Sequence, residues 1–212
     1  MSGARYIAIE GPIGVGKSSL TKLLSLELKS RTIYEQVEEN PFLKEFYRDR
    51  KKYAFKTQLY FLLNRYQQQK ELAQCDLFDK TIISDYIFAK DRIFAYLNLD
   101  KNEIDLYETI YNILEAKVPK PDLVIFLQAA SEVLLERVKS RNREYETDIS
   151  SEYLDELRQA YNDFFFHYDE TPLLVINTSE INFVENPGDL QLLIKEIKNM
   201  RNGIKHFVPL GS

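Results

Sequence analysis

The hydrophobic pattern of the chain alternates between short β-rich runs and longer segments with helical periodicity. Most of the five short runs have nearly continuous apolar cores, which is typical of strands buried on both faces of a parallel sheet. Helical segments separate all of the runs, so the pattern predicts an α/β fold, a doubly wound three-layer sandwich with a five-stranded parallel sheet. The predicted strands are Tyr6–Glu10, Thr32–Glu35, Thr81–Asp85, Leu123–Leu127 and Leu173–Ile176.

The segments between and after these runs predict helices. In the longest one, Phe55, Leu59, Leu62 and Tyr66 form an apolar stripe that is expected to face the core. Because no linker or repeat divides the 212 residues, we expect one domain over residues 1–212. The predicted helices are Lys17–Lys29, Pro41–Asp49, Tyr53–Cys75, Phe88–Tyr96, Glu103–Ala116, Ser131–Arg141, Ser151–Tyr168 and Gly188–Met200.

A complete GxxxxGK[ST] motif follows the first predicted strand and opens the first predicted helix. The glycines of such a phosphate loop let backbone N–H groups turn inward around a polyphosphate, and the helix N-terminus faces the same anion. Lys17 is expected to reach the outer phosphates of ATP, and the Ser18 hydroxyl to bind Mg²⁺. The predicted ATP-binding residues of this segment are Gly11, Pro12, Ile13, Gly14, Val15, Gly16, Lys17, Ser18 and Ser19.

Carboxylates follow the same edge of the predicted sheet. Glu10, Glu35 and Asp85 end the first three predicted strands, and parallel sheets bind ligands at this edge. Glu35 suits a base that takes a proton from an acceptor hydroxyl, although a solvated acid at a strand end is the alternative. Asp85 suits a Mg²⁺ ligand or the base, and it also suits a cap for the following helix.

Basic residues recur at every second position near the end of the sixth predicted helix. They are Arg137, Lys139, Arg141 and Arg143, and the first and third share a helix face. Such a cluster suits a lid, over about residues 137–149, that closes on transferring phosphates and excludes water. The alternative is a solvated basic face balanced by neighbouring glutamates.

Gln58 and Arg65 lie seven residues apart on one face of the longest predicted helix. That spacing lets both side chains address one planar heterocycle. A glutamine amide both donates and accepts hydrogen bonds, and an arginine paired with a carboxylate such as Asp91 can direct donors toward a purine. Without further information, both remain ordinary polar residues of an amphipathic helix.

Composition narrows the class of partner. The formal net charge of −5 and the isoelectric point near 5.3 argue against a nucleic-acid-binding surface. Cys75 is the single cysteine, so a disulfide framework is excluded and a reducing cytoplasm is expected. The sequence has neither an apolar run of membrane-spanning length nor an export signal, so we expect no membrane partner.

From the phosphate loop to about residue 165, these motifs resemble in order those of the deoxyribonucleoside kinases, which include deoxycytidine, deoxyguanosine and deoxyadenosine kinases. The resemblance is to the bacterial deoxyguanosine and deoxyadenosine kinases in particular. It implies that Glu35 approaches the 5′-hydroxyl, that Tyr47 and Glu146 hold the 3′-hydroxyl, and that Gln58 binds the base edge. It also implies a homodimer built through helix packing.

The same resemblance implies a purine-leaning substrate, because Arg65 and Asp91 match a pair found in purine-compatible members. Two positions depart from the family pattern, and at one of them Gln36 stands where a proline commonly follows the strand-two glutamate. The acid-arginine-serine motif that follows the third strand reads Asp85-Tyr86-Ile87 here, so a tyrosine stands in the substrate-binding set where an arginine is usual. Tyr86 carries no fixed positive charge, and we expect Arg92 or a lid arginine to compensate.

The expected function is Mg²⁺-ATP-dependent transfer of the γ-phosphoryl group to the 5′-hydroxyl of a purine deoxynucleoside, in nucleotide salvage. One alternative is a thymidylate-like nucleoside monophosphate kinase, although Glu35 would repel its anionic acceptor. The other is a non-catalytic nucleotide-binding regulatory module, which would predict damage to the phosphate loop or the lid. The predicted catalytic residues are Glu35, Asp85, Lys17, Arg137, Arg141 and Arg143.

Overall fold

A six-stranded parallel sheet crosses the part of the chain that this computed structural model describes, which is residues 5–74, 81–141, 143, 146 and 149–209. The strand order is β2-β3-β1-β4-β5-β6. The α/β class and the parallel sheet predicted from the sequence are confirmed. The strands are β1 (Tyr6–Glu10), β2 (Arg31–Ile33), β3 (Ile82–Ser84), β4 (Leu123–Gln128), β5 (Leu173–Asn177) and β6 (Ile204–Phe207).

The prediction of five strands was wrong by one. β6 pairs in parallel with β5, with Leu173 opposite Ile204. It was missed because it is short, lies largely exposed at the sheet edge and includes Lys205 and His206, whereas the expected signal was a buried apolar run. β2 and β3 are also shorter than predicted, so Glu35 and Asp85 lie just beyond the strands that precede them.

Helices lie near all the predicted positions, and the largest difference at a helix start is at α3, which begins at Arg50 rather than Tyr53. The predicted end of that helix, Cys75, lies outside the described residues. A short 3₁₀ helix, Val37–Glu39, precedes α2. The α-helices of the described ranges are α1 (Lys17–Leu28), α2 (Leu43–Arg48), α3 (Arg50–Gln74), α4 (Lys90–Asn98), α5 (Lys101–Glu115), α6 (Ser131–Arg141), α7 (Ser151–Phe166) and α8 (Pro187–Asn199).

Alternating side chains of β1 supply both faces of the sheet. Ile7 and Ile9 belong to a core that includes buried leucines of α1, α6 and α8. Tyr6 and Ala8 belong to the opposite core, with buried residues of α3, α4 and α7. Full burial of each isoleucine stabilises the fold by about 1.5–3 kcal/mol. The result is the predicted three-layer arrangement, with helices on both sides of one sheet.

A third apolar cluster joins α2, α3, α5 and α7. Phe46 of α2 and Tyr153 of α7 meet edge to face, with ring centroids 6.2 Å apart. The cluster also contains Leu62 of α3 and two buried tyrosines of α5, Tyr107 and Tyr111. This cluster is distinct from the two cores that flank the sheet.

The longest helix, α3, has 25 residues, but charged side chains along it interrupt its apolar stretches. Within the described ranges, no helix combines the length and the apolar character that crossing a membrane requires.

Candidate active site

The predicted strand, phosphate loop and helix are present as β1, residues 11–16 and α1. Gly14 and Gly16 have positive φ angles of 88° and 104°, which L side chains rarely adopt. The Lys17 ammonium donates to the carbonyls of Gly11 and Pro12 over 2.7 and 3.1 Å. Burial, reinforced by the nearby charge of Lys90, lowers the pKa of Lys17 to about 8.

Gly14→Ala is expected to lower the free energy of unfolding by about 2 kcal/mol or more, because the backbone conformation is strained for alanine. A Cβ atom at this position would also meet the Leu134 carbonyl oxygen at 2.7 Å. Urea denaturation measures the loss. Gly203→Ala is the matched control, because Gly203 also has a positive φ but its added Cβ meets nothing within 4 Å. An equal loss in both variants would contradict a tightly packed loop.

Among the described residues, two cavities adjoin the phosphate loop. The larger, of about 460 Å³, lies at the carboxyl ends of β1, β2 and β3 and includes eleven of the predicted site residues in its lining. These are Ile13, Lys17, Ser18, Glu35, Tyr47, Gln58, Arg65, Asp85, Arg141, Arg143 and Glu146. The smaller, of about 220 Å³, is lined by Gly14, Val15, Gly16, Ser19, Arg137 and Arg141 among others.

Glu35 is held by two cations in the larger cavity. Arg65 of α3 donates through Nε to Glu35 Oε1 over 2.8 Å and also through a terminal guanidinium nitrogen. Lys90 of α4 donates to Glu35 Oε2 over 2.6 Å. Burial alone would raise the pKa of Glu35, but the charges of Arg65 and Lys90 outweigh it and lower the pKa to about 2. Glu35 is therefore ionised at neutral pH.

The residues around Glu35 form a cluster without net formal charge. Arg65 also pairs with Asp91, which is fully buried. Two carboxylates, Glu35 and Asp91, thus balance two cations, Arg65 and Lys90. Asp91 accepts a further hydrogen bond of 2.8 Å from the Tyr107 hydroxyl of α5. Such a balanced cluster favours a neutral ligand over a strongly anionic one.

Lys90 was not among the predicted site residues. The sequence places it directly before Asp91 and five positions after Asp85, so its proximity to the active edge was readable. The ion pair between Lys90 and Glu35 could not be predicted from the sequence, because Glu35 lies 55 residues away and only the folded chain brings the two side chains together.

Asp85 joins the phosphate loop to the segment after β2. Its Oδ2 accepts from the Ser18 hydroxyl over 2.6 Å, and its Oδ1 accepts from the backbone N–H of Glu35 over 2.8 Å. Burial raises the pKa of Asp85. The alternative role as a cap is wrong, because α4 begins after Ala89 and has no side-chain cap.

Gln58 supplies a polar edge to the larger cavity. Its side chain is nearly fully buried, and its Oε1 has no hydrogen-bond partner within the described part of the protein. A buried acceptor left without a partner is costly, so this oxygen suits a ligand donor. Arg65 lines the same cavity, as their shared helix face predicts.

The arginines of the predicted lid are distributed over the two cavities. Arg137 donates to the Thr178 carbonyl over 3.1 Å and lies beside the smaller cavity. Arg141 lines both cavities and Arg143 the larger one. Glu146 is buried, 3.6 Å from Arg143, and burial raises its pKa. Other lid residues, namely Asn142, Glu144, Tyr145, Thr147 and Asp148, lie outside the described residues.

Some residues near the motifs point elsewhere. Tyr86 does not line either cavity; it is buried and donates through its hydroxyl to Gln68 over 2.8 Å. Arg92 is bound to Glu108 of α5 over 2.7 Å rather than to the cavity. Glu10 is buried behind the phosphate loop, where it accepts from the backbone N–H groups of Gly11 and Ile87. It thereby ties the loop to the segment that follows β3.

The site therefore combines a phosphate loop, a polar cavity at the strand ends and a carboxylate clamped by cations. A family model described as deoxynucleoside kinase matches residues 7–202. The chain belongs to this family. The expectation of an ATP-dependent deoxynucleoside kinase is confirmed at the level of the family.

Individual relatives extend the match over nearly the whole chain. A deoxyguanosine kinase of Bacillus subtilis (strain 168) is 33% identical over 207 residues, covering 94% of this chain and 99% of the relative. A deoxyadenosine kinase of Dictyostelium discoideum is 38% identical over 200 residues, covering 92% and 80%. The solved structure of deoxyadenosine kinase from M. mycoides with bound dATP aligns with a TM-score of 0.78 at 28% identity, covering 92% of this chain and all of that one.

Proposed function

We propose that the chain transfers the γ-phosphoryl group of ATP to the 5′-hydroxyl of a purine deoxynucleoside. The observation that carries this proposal is the ionised Glu35 carboxylate in the 460 Å³ cavity beside Lys17 and Ser18 of the phosphate loop. A cavity of this size suits a nucleoside, because small-molecule sites of comparable volume bury most of the surface of their ligand. The neutral charge balance around Glu35 supports an uncharged acceptor rather than a monophosphate.

In this proposal the nucleoside lies along the larger cavity. Gln58 and Arg65 face the base, Tyr47 and Glu146 face the sugar, and Glu35 faces the 5′-hydroxyl. The triphosphate of ATP lies on the phosphate loop, between the two cavities. The smaller cavity, which Ile181 and Asn182 also line, suits the adenine base of ATP. These placements follow the matches to the family motifs and the positions of the lining residues.

In the proposed reaction, the 5′-oxygen forms a bond to the γ-phosphorus while the bond between that phosphorus and the leaving ADP oxygen breaks. Glu35 accepts the hydroxyl proton. Its low pKa is compatible with this role, because phosphoryl transfer through a loose transition state asks little of the base beyond orientation. A carboxylate has about four acceptor positions, so Glu35 can bind the hydroxyl while it keeps both cations.

Cationic side chains around the phosphates would stabilise the negative charge of the transition state. Lys17, Arg137, Arg141 and Arg143 would neutralise the charge that builds up on the transferring group and the leaving ADP. Arg137 is already braced by backbone carbonyls at Thr178 and Ile181, which fixes its direction before ATP binds.

Ser18 and Asp85 would hold Mg²⁺, which neutralises phosphate charge when it is bound. Their side-chain oxygens lie 2.6 Å apart, and both are hard donors of the kind that Mg²⁺ prefers. Across the described residues, no three His, Cys, Asp or Glu side chains gather as a metal cluster. Mg²⁺ commonly binds through one or two side chains plus substrate phosphates and water, so this sparse set fits the ion.

The purine preference rests on two observations. Arg65, which lines the larger cavity together with Gln58, forms a buried pair with Asp91, and the relatives named above are deoxyguanosine and deoxyadenosine kinases. We further propose that the chain acts in the cytoplasm as a homodimer. The apolar Leu106 and Ile113 of α5, which are 52% and 59% exposed, support helix packing between copies.

This proposal is tested by identifying the atom that accepts the phosphoryl group. Purified protein with Mg²⁺-ATP and deoxyguanosine or deoxyadenosine is expected to form ADP and the 5′-monophosphate in equal amounts. The matched control is 2′,5′-dideoxyguanosine, which lacks only the acceptor hydroxyl and is expected to give no product. ADP formed without a nucleoside would indicate a hydrolase, and product from thymidylate alone would indicate a monophosphate kinase. Either result would contradict the proposal.

A further inference from the structure

Lys90 is a buried cation at the start of α4, with its side chain only 5% exposed. A buried ammonium is unfavourable unless a carboxylate neutralises it. Its partner is Glu35, whose Oε2 accepts from Lys90 Nζ over 2.6 Å. The larger cavity is lined by both side chains together with Lys17, Ser18 and Asp85. Lys90 therefore lies where the phosphate loop and the proposed acceptor hydroxyl meet.

The orientation of Glu35 depends on contacts of this kind, because the residue lies outside the sheet. β2 ends at Ile33, so no strand ladder holds residue 35. Its backbone N–H donates to Asp85, Arg65 binds Oε1 and Lys90 binds Oε2. Asp85 thus holds the backbone of Glu35 and two helices hold its carboxylate, so loss of Lys90 would release one of the two carboxylate oxygens.

Lys90 also provides a positive charge near the position where the family motif usually has an arginine and this chain has Tyr86. The motif after β3 has Tyr86 in place of an arginine, and the Tyr86 hydroxyl is directed to Gln68 rather than to the cavity. Arg92, the compensating residue expected from the sequence, is bound to Glu108 and Asn112. Lys90 is four positions after Tyr86 and places its ammonium on the Glu35 carboxylate.

We propose that Lys90 is a positioning residue for phosphoryl transfer, which holds the Glu35 carboxylate toward the acceptor hydroxyl and supplies the positive charge that residue 86 lacks. This inference rests on the proposed function, since it assigns Glu35 to the acceptor hydroxyl. The hydroxyl proton passes to Glu35 while the new bond to phosphorus forms and ADP leaves. Lys90 takes no part in this proton transfer and acts only through Glu35.

The test compares variants at Lys90 with a control on the same helix. Lys90→Met keeps the length but removes the charge, and kcat is expected to fall about 100-fold, as for a misplaced catalytic group. The KM for ATP and the Kd for the nucleoside are expected to stay nearly unchanged. The thermal midpoint is expected to fall, because the change removes one member of a buried ion pair, so kcat is measured at a temperature where the variant is folded. Lys90→Gln is expected to behave alike, and Lys90→Arg to recover most of kcat. Arg92→Met, which removes a cation outside the cavity, is expected to keep the kcat of the wild type.

Several outcomes would overturn the role of Lys90. These are an unchanged kcat in Lys90→Met or Lys90→Gln, an equal loss in Arg92→Met, or no recovery by a folded Lys90→Arg. If Lys90→Met does not fold, Lys90→Gln and Lys90→Arg decide by the same criteria. The wild type in the same assay separates the two claims. An inactive wild type overturns the proposed function, whereas an active wild type with an equally active Lys90→Met overturns the role of Lys90 alone.

Discussion

Replacing Glu35 with glutamine is expected to lower kcat about 1000-fold while nucleoside affinity stays close to that of the wild type. The amide keeps the shape and the hydrogen-bonding reach of the carboxylate, but it cannot accept the hydroxyl proton. The change also leaves Arg65 and Lys90 with one fewer negative partner. Removing one member of a buried ion pair costs about 3–5 kcal/mol, so a lower thermal midpoint is expected as well.

The measurements for this variant are therefore kcat at a temperature where circular dichroism shows a folded protein, and the nucleoside Kd by calorimetry. Glu27→Gln is the matched control, because Glu27 is an exposed carboxylate of α1 paired with Lys198. It is expected to keep the wild-type kcat. Undiminished turnover in Glu35→Gln would remove Glu35 from the role of the base.

The second large effect is expected at the phosphate loop. Lys17→Met should lower kcat/KM for ATP about 1000-fold, because it removes a preorganised ammonium from the position of the outer phosphates. In the structure the carbonyls of Gly11 and Pro12 hold that ammonium at the phosphate loop. Nucleoside affinity is expected to persist.

Initial rates at varied ATP concentrations measure this effect. Lys22→Met serves as the control, because Lys22 is exposed on the same helix and lies outside both cavities. Near-normal kcat/KM in Lys17→Met would show that the phosphate loop does not serve the reaction, and would favour a different donor site.

The sequence predicted those elements whose local pattern is strong. β1, β4 and β5 are continuous buried runs, and α3 carries a long apolar stripe, so each was found within a few residues. β6 has neither signal, since it gains its place by pairing with β5 at an exposed edge. Local patterns of burial do not record pairing at an edge.

The candidate site was predictable where a motif fixes local geometry or where chain spacing fixes a shared face. The phosphate loop is of the first kind, and Gln58 with Arg65 of the second. The ion pairs were less readable. Arg65 was expected to pair with Asp91, but it also binds Glu35, and Lys90 was not expected there at all. Such contacts join residues 30 and 55 positions apart, so they depend on how the helices pack around the cavity.

We propose above that this member of the deoxynucleoside kinase family phosphorylates purine deoxynucleosides. The most direct measurement is a kcat/KM panel with Mg²⁺-ATP and deoxyguanosine, deoxyadenosine, deoxycytidine, thymidine and thymidylate. The kcat/KM of deoxyguanosine or deoxyadenosine is expected to exceed that of thymidine by about 10-fold or more, the effect of one hydrogen bond to a charged group. A preference for thymidine or thymidylate, or no turnover with any acceptor, would contradict it.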